Sequence, residues 1–567
     1  MLMVFFSWLI IGAAAYIFGR TIADRVYRND LQTMGKTDVY IVTGIVFLNV
    51  YAEFFSLFYK VAGIACTILG IAGIGIVLWY IVRRRHCATE HRITIRDSLV
   101  KYRKELMIGA LCLFFTLVWT TREPWHYDTG LYHAQAIRWI EEYGIVPGLG
   151  NLHMRFAYNS AFMSLQALFS LEWLIGQSLH SLNGFFCFIG LVWALTTIKN
   201  KRKDNRKSTW QTSDLLKAVM VIYIVMERSH ISSCGTDILS MLLLLYISAK
   251  WCEASEKGTK SLNPWCYCCL LGVYAVTVKL SAAVIVLLVI YPAYLLIKEK
   301  NYKKIFGNLL AGILIILPFL VRNVIISGYL IYPYSGLDLF DVDWKMDEAI
   351  LERDRLDITM FGRGITNEKE YGKKLAEWLP DWFLSKEWND KLIIICGVAA
   401  MVVLCYKLFC YLRRKNFEKS IFIAVSIGGL WFWIISAPLM RYGEVYFFIM
   451  IAIALGEWRC RYREEILGVL LLVLLIPLLG MYIGKVKDLR QLESKYWIRQ
   501  PDYLAWPASQ YDIGGEYIWL PDNGDQVGYM AFPNTSSEKQ LKTLILRGDS
   551  LKDGFRHGEK RELRKVE

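Results

Sequence analysis

Residues 390–415 read DKLIIICGVAAMVVLCYKLFCYLRRK, an apolar run closed by three consecutive basic residues. At about 1.5 Å per residue, the run 390–411 reaches roughly 33 Å as a helix, enough to cross a ~30 Å hydrocarbon layer. The basic stretch after it, Arg413 to Lys419, marks a cytoplasmic loop, because segments rich in Lys and Arg resist translocation. The same pattern recurs along the chain. Fourteen apolar runs can be placed, at 2–19, 38–59, 61–82, 105–120, 178–198, 213–227, 236–252, 262–278, 280–297, 305–321, 390–411, 419–438, 443–457 and 464–484. Alternating their direction puts the clusters Arg83–Arg85, Lys199–Lys207, Lys298–Lys304, Arg413–Lys419 and Arg459–Arg463 on one side. The expected fold is an all-α polytopic transmembrane protein of about fourteen helices.

Composition agrees with this reading. Of 567 residues, 55% are hydrophobic and only 20% charged, which excludes a soluble enzyme, a disordered chain and a secreted disulfide scaffold. The net charge of +14 resides in short clusters between apolar runs, so it sets topology and does not indicate nucleic-acid binding. Of the thirteen cysteines, Cys234 alone falls in a segment expected outside. Cys266, Cys268 and Cys269 lack metal-finger spacing and read as small apolar helix residues. The N-terminal run precedes its charges (Arg20, Arg25, Arg28), opposite to a signal peptide, and reads as a first helix with its N-terminus outside. Gly70, Gly73 and Gly75 suggest close helix packing.

Phe156–Gly176 is apolar enough to be a span, but counting it would invert every later basic cluster. It also holds Asn159, Gln166 and Glu172, so it is expected as a helix partly sunk into the outer surface. Segments 121–177, 322–389 and the tail 485–567 then face outward. The tail has a turn at Pro521–Asp525 and strand-like runs at Glu516–Leu520, Gly528–Phe532 and Leu541–Leu546, which together suggest a small β-containing outer cap with disordered final residues.

The densest polar constellation is residues 122–153, REPWHYDTGLYHAQAIRWIEEYGIVPGLGNLH. Thr129–Tyr143 reads as a helix with Asp128 as N-cap, Gly144 past its end and Pro147 beyond. Leu131, Ala134, Ile137 and Ile140 form an apolar stripe, with His133, Gln135, Arg138 and Glu141 opposite, as in a helix lying along a membrane surface. Trp125, His126, Tyr127, Tyr132 and His133 surround Asp128 with groups that bond hydrogen and exclude water, where a carboxylate could act as a base.

An acidic residue a few positions after an outward-going helix, then Tyr, then an amphipathic helix ending in Gly and a Pro-containing turn, resembles the first outer loop of GT-C membrane glycosyltransferases. Gly235–Leu239 resembles their second acidic motif, Thr277–Ser281 a Thr-Lys turn, and Pro438–Tyr442 an Arg-Tyr element. Residues 322–344 are similar to uncharacterised bacterial envelope proteins of the same build. The resemblance implies N-terminal helices over 1–104, a GT-C-like core over 105–484 and an extracytoplasmic tail over 485–567. It implies transfer of a sugar from a polyprenyl-phosphate donor to a hydroxyl acceptor on a glycan or lipid, on the outer face of the plasma membrane.

On that reading Asp128 is the catalytic base and Asp237 orients the acceptor or the loop. Lys279, Arg322 and Arg441 bind the carrier phosphate, and Tyr132, His126 and His133 contact substrate. No cofactor or metal is expected. A divalent cation held by His126, His133 and His153 with Asp128 is the weaker alternative, since no two of these histidines have helical clamp spacing. Trp344, Trp378 and Trp382 are expected as interface anchors or sugar-stacking residues. A glycan polymerase or ligase, a polysaccharide flippase or transporter, and a non-catalytic envelope subunit remain open alternatives.

Overall fold

In the computed structural model the described residues are 1–85, 101–124, 126–204, 210–458, 464–470, 473, 476, 480 and 493–566. The described helices, in chain order, are α1 (Leu2–Val26), α2 (Lys36–Ser56), α3 (Gly63–Arg85), α4 (Arg103–Thr120), α5 (Ala134–Glu142), α6 (Ala161–Leu168), α7 (Leu182–Asp204), α8 (Thr212–Met226) and α9 (Asp237–Glu256). They continue with α10 (Asn263–Val278), α11 (Ile290–Lys298), α12 (Tyr302–Ser327), α13 (Glu348–Arg363), α14 (Leu375–Leu384), α15 (Trp388–Arg413), α16 (Phe417–Ser436) and α17 (Met440–Glu457). Thirteen of the fourteen apolar runs coincide with such helices. Most of the run 464–484, the Arg459–Arg463 cluster, part of Lys199–Lys207, and Trp125 lie outside the described residues.

Among the described residues, eight helical segments are long and apolar enough to cross a membrane by length and composition. Some other apolar runs form shorter helices: α8, with 15 residues, reaches about 22 Å, short of a ~30 Å layer. The helix α9, DILSMLLLLYISAKWCEASE, is apolar all round and nearly all buried, as a helix without a polar face must be at the centre of a bundle. The helices α12 and α15 are mostly exposed and present Leu309, Ile313, Val402 and Phe409 outward, a surface that suits lipid.

Phe156–Gly176 is not one helix. Ser160 caps the eight-residue α6, and Leu171 at φ 55° breaks the chain before a single turn at Glu172–Ile175. Of the three glycines expected to mediate packing, Gly70 and Gly75 face open space, while a Cβ at Gly73 would stand 3.9 Å from the Phe18 ring of α1. The close contact is between α1 and α2, where a Cβ on Gly19 would strike the Tyr40 carbonyl and one on Gly44 the Ala15 carbonyl. Gly44→Ala is therefore expected to force α1 and α2 apart and to lower the melting temperature of the purified protein by several degrees, while Gly75→Ala leaves it unchanged. Equal melting temperatures would show that this contact does not hold the helices.

Contacts sort the helix connections into two ends. At one, Asn263 meets Asp30, Lys257 donates to the Thr33 carbonyl, Ser255 to Glu418, and Lys419 pairs with Glu457. This basic end carries the Arg413–Lys419 cluster. At the other, Val61 N–H bonds the Ile140 carbonyl, Ser232 the Glu123 carbonyl, and the Met1 amino group the Tyr496 carbonyl. Residues 121–177, 228–235, 322–347 and the tail thus gather at one end, away from the basic cluster.

The tail forms the cap there. β1 (Ala508–Ile513) and β2 (Glu516–Pro521) make a hairpin through Gly514 and Gly515, whose φ values of 69° and 96° suit glycine in a two-residue turn. β3 (Leu544–Leu546) pairs with β4 (Phe555–His557), and β5 (Arg564–Lys565) adds to β1, so the final residues are ordered against expectation. Gly528–Phe532 is not a strand, and Leu541 belongs to a short helix, Glu538–Thr543, before β3.

Candidate functional site

The amphipathic helix forms as a π turn, Thr129–His133, followed by α5, with Gly144 at φ 83° past its end. Such π turns are frequent at functional sites. Asp128 precedes it but makes no side-chain cap bond. Its carboxylate turns away from the helix to Arg441 on α17, with Nη2 2.8 Å from Oδ2. The N–H of Asp128 donates to His126 Nδ1 at 3.1 Å, and Arg441 Nη1 lies 2.9 Å from His126 Nε2. A neutral imidazole carries one proton, so it can accept from only one of these two donors.

Asp237, the first residue of α9, pairs with Lys279. Lys279 sits where α10 ends in an extended residue (φ −157°, ψ 127°) before a ten-residue 3-10 segment, Leu280–Val289. The break turns the lysine across the bundle, with its Nζ 3.6 Å from the centroid of Tyr442. Arg441 also donates to Tyr442 OH at 3.1 Å, which joins the two acid–base pairs. Four segments far apart in sequence thereby meet at the cap end. Asp128, Asp237, Lys279 and Arg441 keep 15–29% of their side chains open to solvent, so the cluster is reachable.

Burial alone would push the Asp128 carboxyl up, but His133 and Arg441 more than offset it and hold the group below its usual range. Burial pushes His133 down to about 4, so near pH 7 it is neutral and Arg441 is the lasting positive partner. Burial also lowers His126. The result is an ionised carboxylate lined by neutral imidazoles.

An apolar cavity of about 560 Å³, its mouth included, starts beside Leu239, two residues along α9 from Asp237. Phe186, Trp193, Met220, Leu242 and Tyr246 line it as it runs toward Asp38 at the basic end.

Not every expected residue joins the cluster. Arg322 is buried on α12 and donates to Asn159 and Ser56, so it ties α12 to α2 and to the loop before α6; two of the three expected cations converge. His153 bonds Ser536 in the cap, apart from His126 and His133, whose ring centroids lie 6.4 Å from each other. Among the described residues no three His, Cys, Asp or Glu side chains are placed to hold a metal ion. Trp378 and Trp382 are core residues, not anchors: Trp382 Nε1 donates to the Gly362 and Pro438 carbonyls, beside the turn that carries Arg441. Trp344 is held by the Val324 carbonyl under Arg547.

Other residues at the site were missed. His230, bonded to Glu227, packs edge-on against His126 at 5.3 Å. Asp354, fully buried on α13, accepts from Tyr332 and faces Arg155 at 3.4 Å, and Arg155 belongs to the turn Met154–Ala157 that packs against the π turn. The Glu-x-x-His spacing of 227–230 in a short outer connection was the available signal for the first pair. Asp354 had none.

The polar face of α5 is also not where its pattern puts it. His133 is buried against His126, Tyr132 and Gly235, and Gln135 and Glu141 are buried because the cap lies over them: Gln135 Nε2 donates to the Gly528, Tyr529 and Ala531 carbonyls, and Arg138 to those of Tyr529 and Met530.

With this geometry in place, comparison with family models gives one match, to a domain of unknown function (DUF8201), over residues 1–448. The chain belongs to the DUF8201 family. No curated protein and no solved structure matches it significantly. The DUF8201 match includes Asp128, Asp237, Lys279, Arg441 and Tyr442, and stops before the cap that covers them.

Proposed function

We propose that this DUF8201 protein is a GT-C-like membrane glycosyltransferase. It moves a sugar from a polyprenyl-phosphate donor to a hydroxyl acceptor on the outer face of a bacterial plasma membrane, in cell-envelope glycan synthesis. The observation that carries the reading is the convergence of two carboxylates and two cations, from four separate segments, at one end of an apolar bundle. The apolar cavity along the Leu239, Leu242 and Tyr246 face of α9 suits an isoprenoid chain, and the two cations gathered at the cap end of that helix suit a phosphate.

In this mechanism the acceptor oxygen attacks the anomeric carbon, the bond from that carbon to the phosphate oxygen breaks, and polyprenyl phosphate leaves with the electron pair. Asp128 takes the acceptor proton. Arg441 and Lys279 offset the charge that gathers on the leaving phosphate. Both cations already hold carboxylates, so donor binding draws them toward the phosphate. As Arg441 shifts, Asp128 loses its positive partner and gains proton affinity when the acceptor arrives. Tyr132, His126 and His133 line the reacting sugar.

The rival reading, a flippase or transporter, draws on the same cavity, which reaches toward Asp38. Against it, the charges on α9 lie at its two ends, Asp237 at one and Lys250 and Glu253 at the other, with only uncharged residues between them. The deciding experiment supplies the reconstituted protein with polyprenyl-phosphate sugars and candidate acceptors and follows the product by mass spectrometry. A new glycosidic bond with inverted anomeric configuration is expected. Movement of lipid-linked glycan between leaflets with no bond formed would overturn the enzyme reading. Transfer of oligosaccharide blocks instead of single sugars would mark a polymerase or ligase.

A further inference from the structure

We infer that the edge of the cap above Asp128 is a binding site for the neutral glycan part of the acceptor, built from Tyr127, Trp506, Asp525 and Gln526. This deepens the transferase reading and rests on it for the word acceptor, but glycan binding there can be measured without catalysis.

The cap loop 525–528 lies against the first turn of the site helix. Val527 and Gly528 N–H groups both donate to the Gly130 carbonyl, at 3.2 and 2.9 Å. Gly130 has no side chain to hold the loop off; a Cβ there would run into the Gln526 amide oxygen and come within 3.5 Å of Trp506 Nε1. Trp506 also packs on Gly528, whose Cβ would stand 3.1 Å from Trp506 Cδ1. On the other side of the same loop, Tyr127 OH bonds Asp525, and Gln526 Nε2 donates to Asp525 Oδ1 at 3.3 Å. An aromatic ring thus flanks each side of a carboxylate and an amide. Tyr127 stays 57% exposed and Trp506 40% exposed, although the backbone between them is fixed. Tyr127 is the neighbour of Asp128 in the chain, so the rim leads directly to the base.

Single exposed aromatic residues need no explanation, but two rings held on either side of a carboxylate and an amide form a recognisable chemistry. A sugar ring has apolar C–H faces that stack on aromatic rings, and hydroxyls around its edge that donate to carboxylates and bond amides. Charge decides what kind of ligand fits. The loop 521–531, PDNGDQVGYMA, has two aspartates and neither Lys nor Arg. Arg138 is the cation packed on this loop, and its Nη1 is taken by the Tyr529 and Met530 carbonyls, so an anionic headgroup, a phosphate or an acidic polymer at the rim would meet the Asp525 carboxylate. A neutral polyhydroxyl chain fits.

The test uses the full chain in nanodiscs without donor, titrated with neutral tetrasaccharides of glucose and of N-acetylglucosamine and followed by tryptophan fluorescence and calorimetry. Saturable binding of at least one is expected, weakened about tenfold or more by Trp506→Ala and by Tyr127→Ala. Trp506→Phe should restore most of it, and unchanged melting temperatures would show that the cap still folds. Absence of binding to both probes overturns the inference, as does binding that the two alanine variants leave intact. If the variants instead release the protein from anionic vesicles while glycan binding persists, the rim is a membrane anchor and the inference fails. The two readings separate cleanly. Tetrasaccharide binding without any sugar transfer overturns the transferase alone. Transfer with an acceptor KM unaffected by Trp506→Ala overturns the rim alone.

Discussion

Asp128→Asn is expected to lower sugar transfer by about 10²–10⁴-fold, the range a positioned general base supplies, with the protein folded and the donor still bound. Asparagine keeps the size of the side chain and can still accept from Arg441, but it cannot take the acceptor proton. Asp128 makes no helix-cap bond, so the substitution removes no capping energy and a loss of activity would not reflect a melted helix. Asp237→Asn should retain more activity, since Lys279 still binds the phosphate. The pH profile offers a second check. In the free enzyme His133 and Arg441 together hold the Asp128 carboxyl below its usual range, so no acidic limb from this group should appear in kcat/KM between pH 5 and 8. Arg441→Gln weakens that hold, so the acidic limb should move up. Parent-like transfer by Asp128→Asn at normal expression would remove the main support for the mechanism.

Glu141→Ala should release the cap. Glu141 is buried, and its two oxygens hold His180 Nε2 at 2.9 Å and Tyr529 OH at 2.7 Å. His180 Nδ1 in turn meets Tyr503 OH, Ser178 bonds Tyr529 at 2.7 Å, and the two tyrosine rings stack at 4.8 Å. Removing the carboxylate leaves His180 Nε2 without its partner and Tyr529 OH with Ser178 alone, a loss on the order of 1–3 kcal/mol. That exceeds what the exposed ion pair Arg547–Asp343, also between cap and body, can contribute. Limited proteolysis of the reconstituted protein should then cut residues 493–566 more than ten times faster, with the helical body intact. Glu141→Gln, which can still accept one bond, should fall between. Equal cleavage rates in parent and alanine variant would show that the cap is held by other contacts.

What the sequence disclosed depended on whether a feature was local. Asp237, Lys279 and Arg441 announce themselves because each stands at a helix end beside a break in the apolar pattern, and the structure brings all three to Asp128. Arg322 has the same local signature, but its partners, Ser56 and Asn159, come from other segments and no pattern along the chain names them. The alternation of basic loops assigned the helix connections to the right two groups, because apolar length and flanking charge act on each segment alone. Among the described residues, apolar runs such as 213–227 form helices shorter than a full span, since apolar composition does not fix helix length. On α5 the amphipathic pattern identified the two faces correctly but gave water to the polar one. A polar face buried under carbonyls reads the same as a polar face in solvent. The tail shows the converse: Gly528–Phe532 looks like a strand, yet its carbonyls are taken by Gln135 and Arg138 rather than by a neighbouring strand.

The bond between Glu141 and Tyr529 spans 388 residues. At a synthesis rate of about 5–20 residues per second, the buried groups of α5 wait roughly 20–80 s on the ribosome before their cover exists. For most of that interval Gln135 and Arg138 stand at the end of a growing helix bundle without the carbonyls they will bond, and Glu141 has His180 but not Tyr529. A truncated chain would stay in that condition permanently. The cap is therefore what closes the polar face of α5, and it is made long after the helix that it covers.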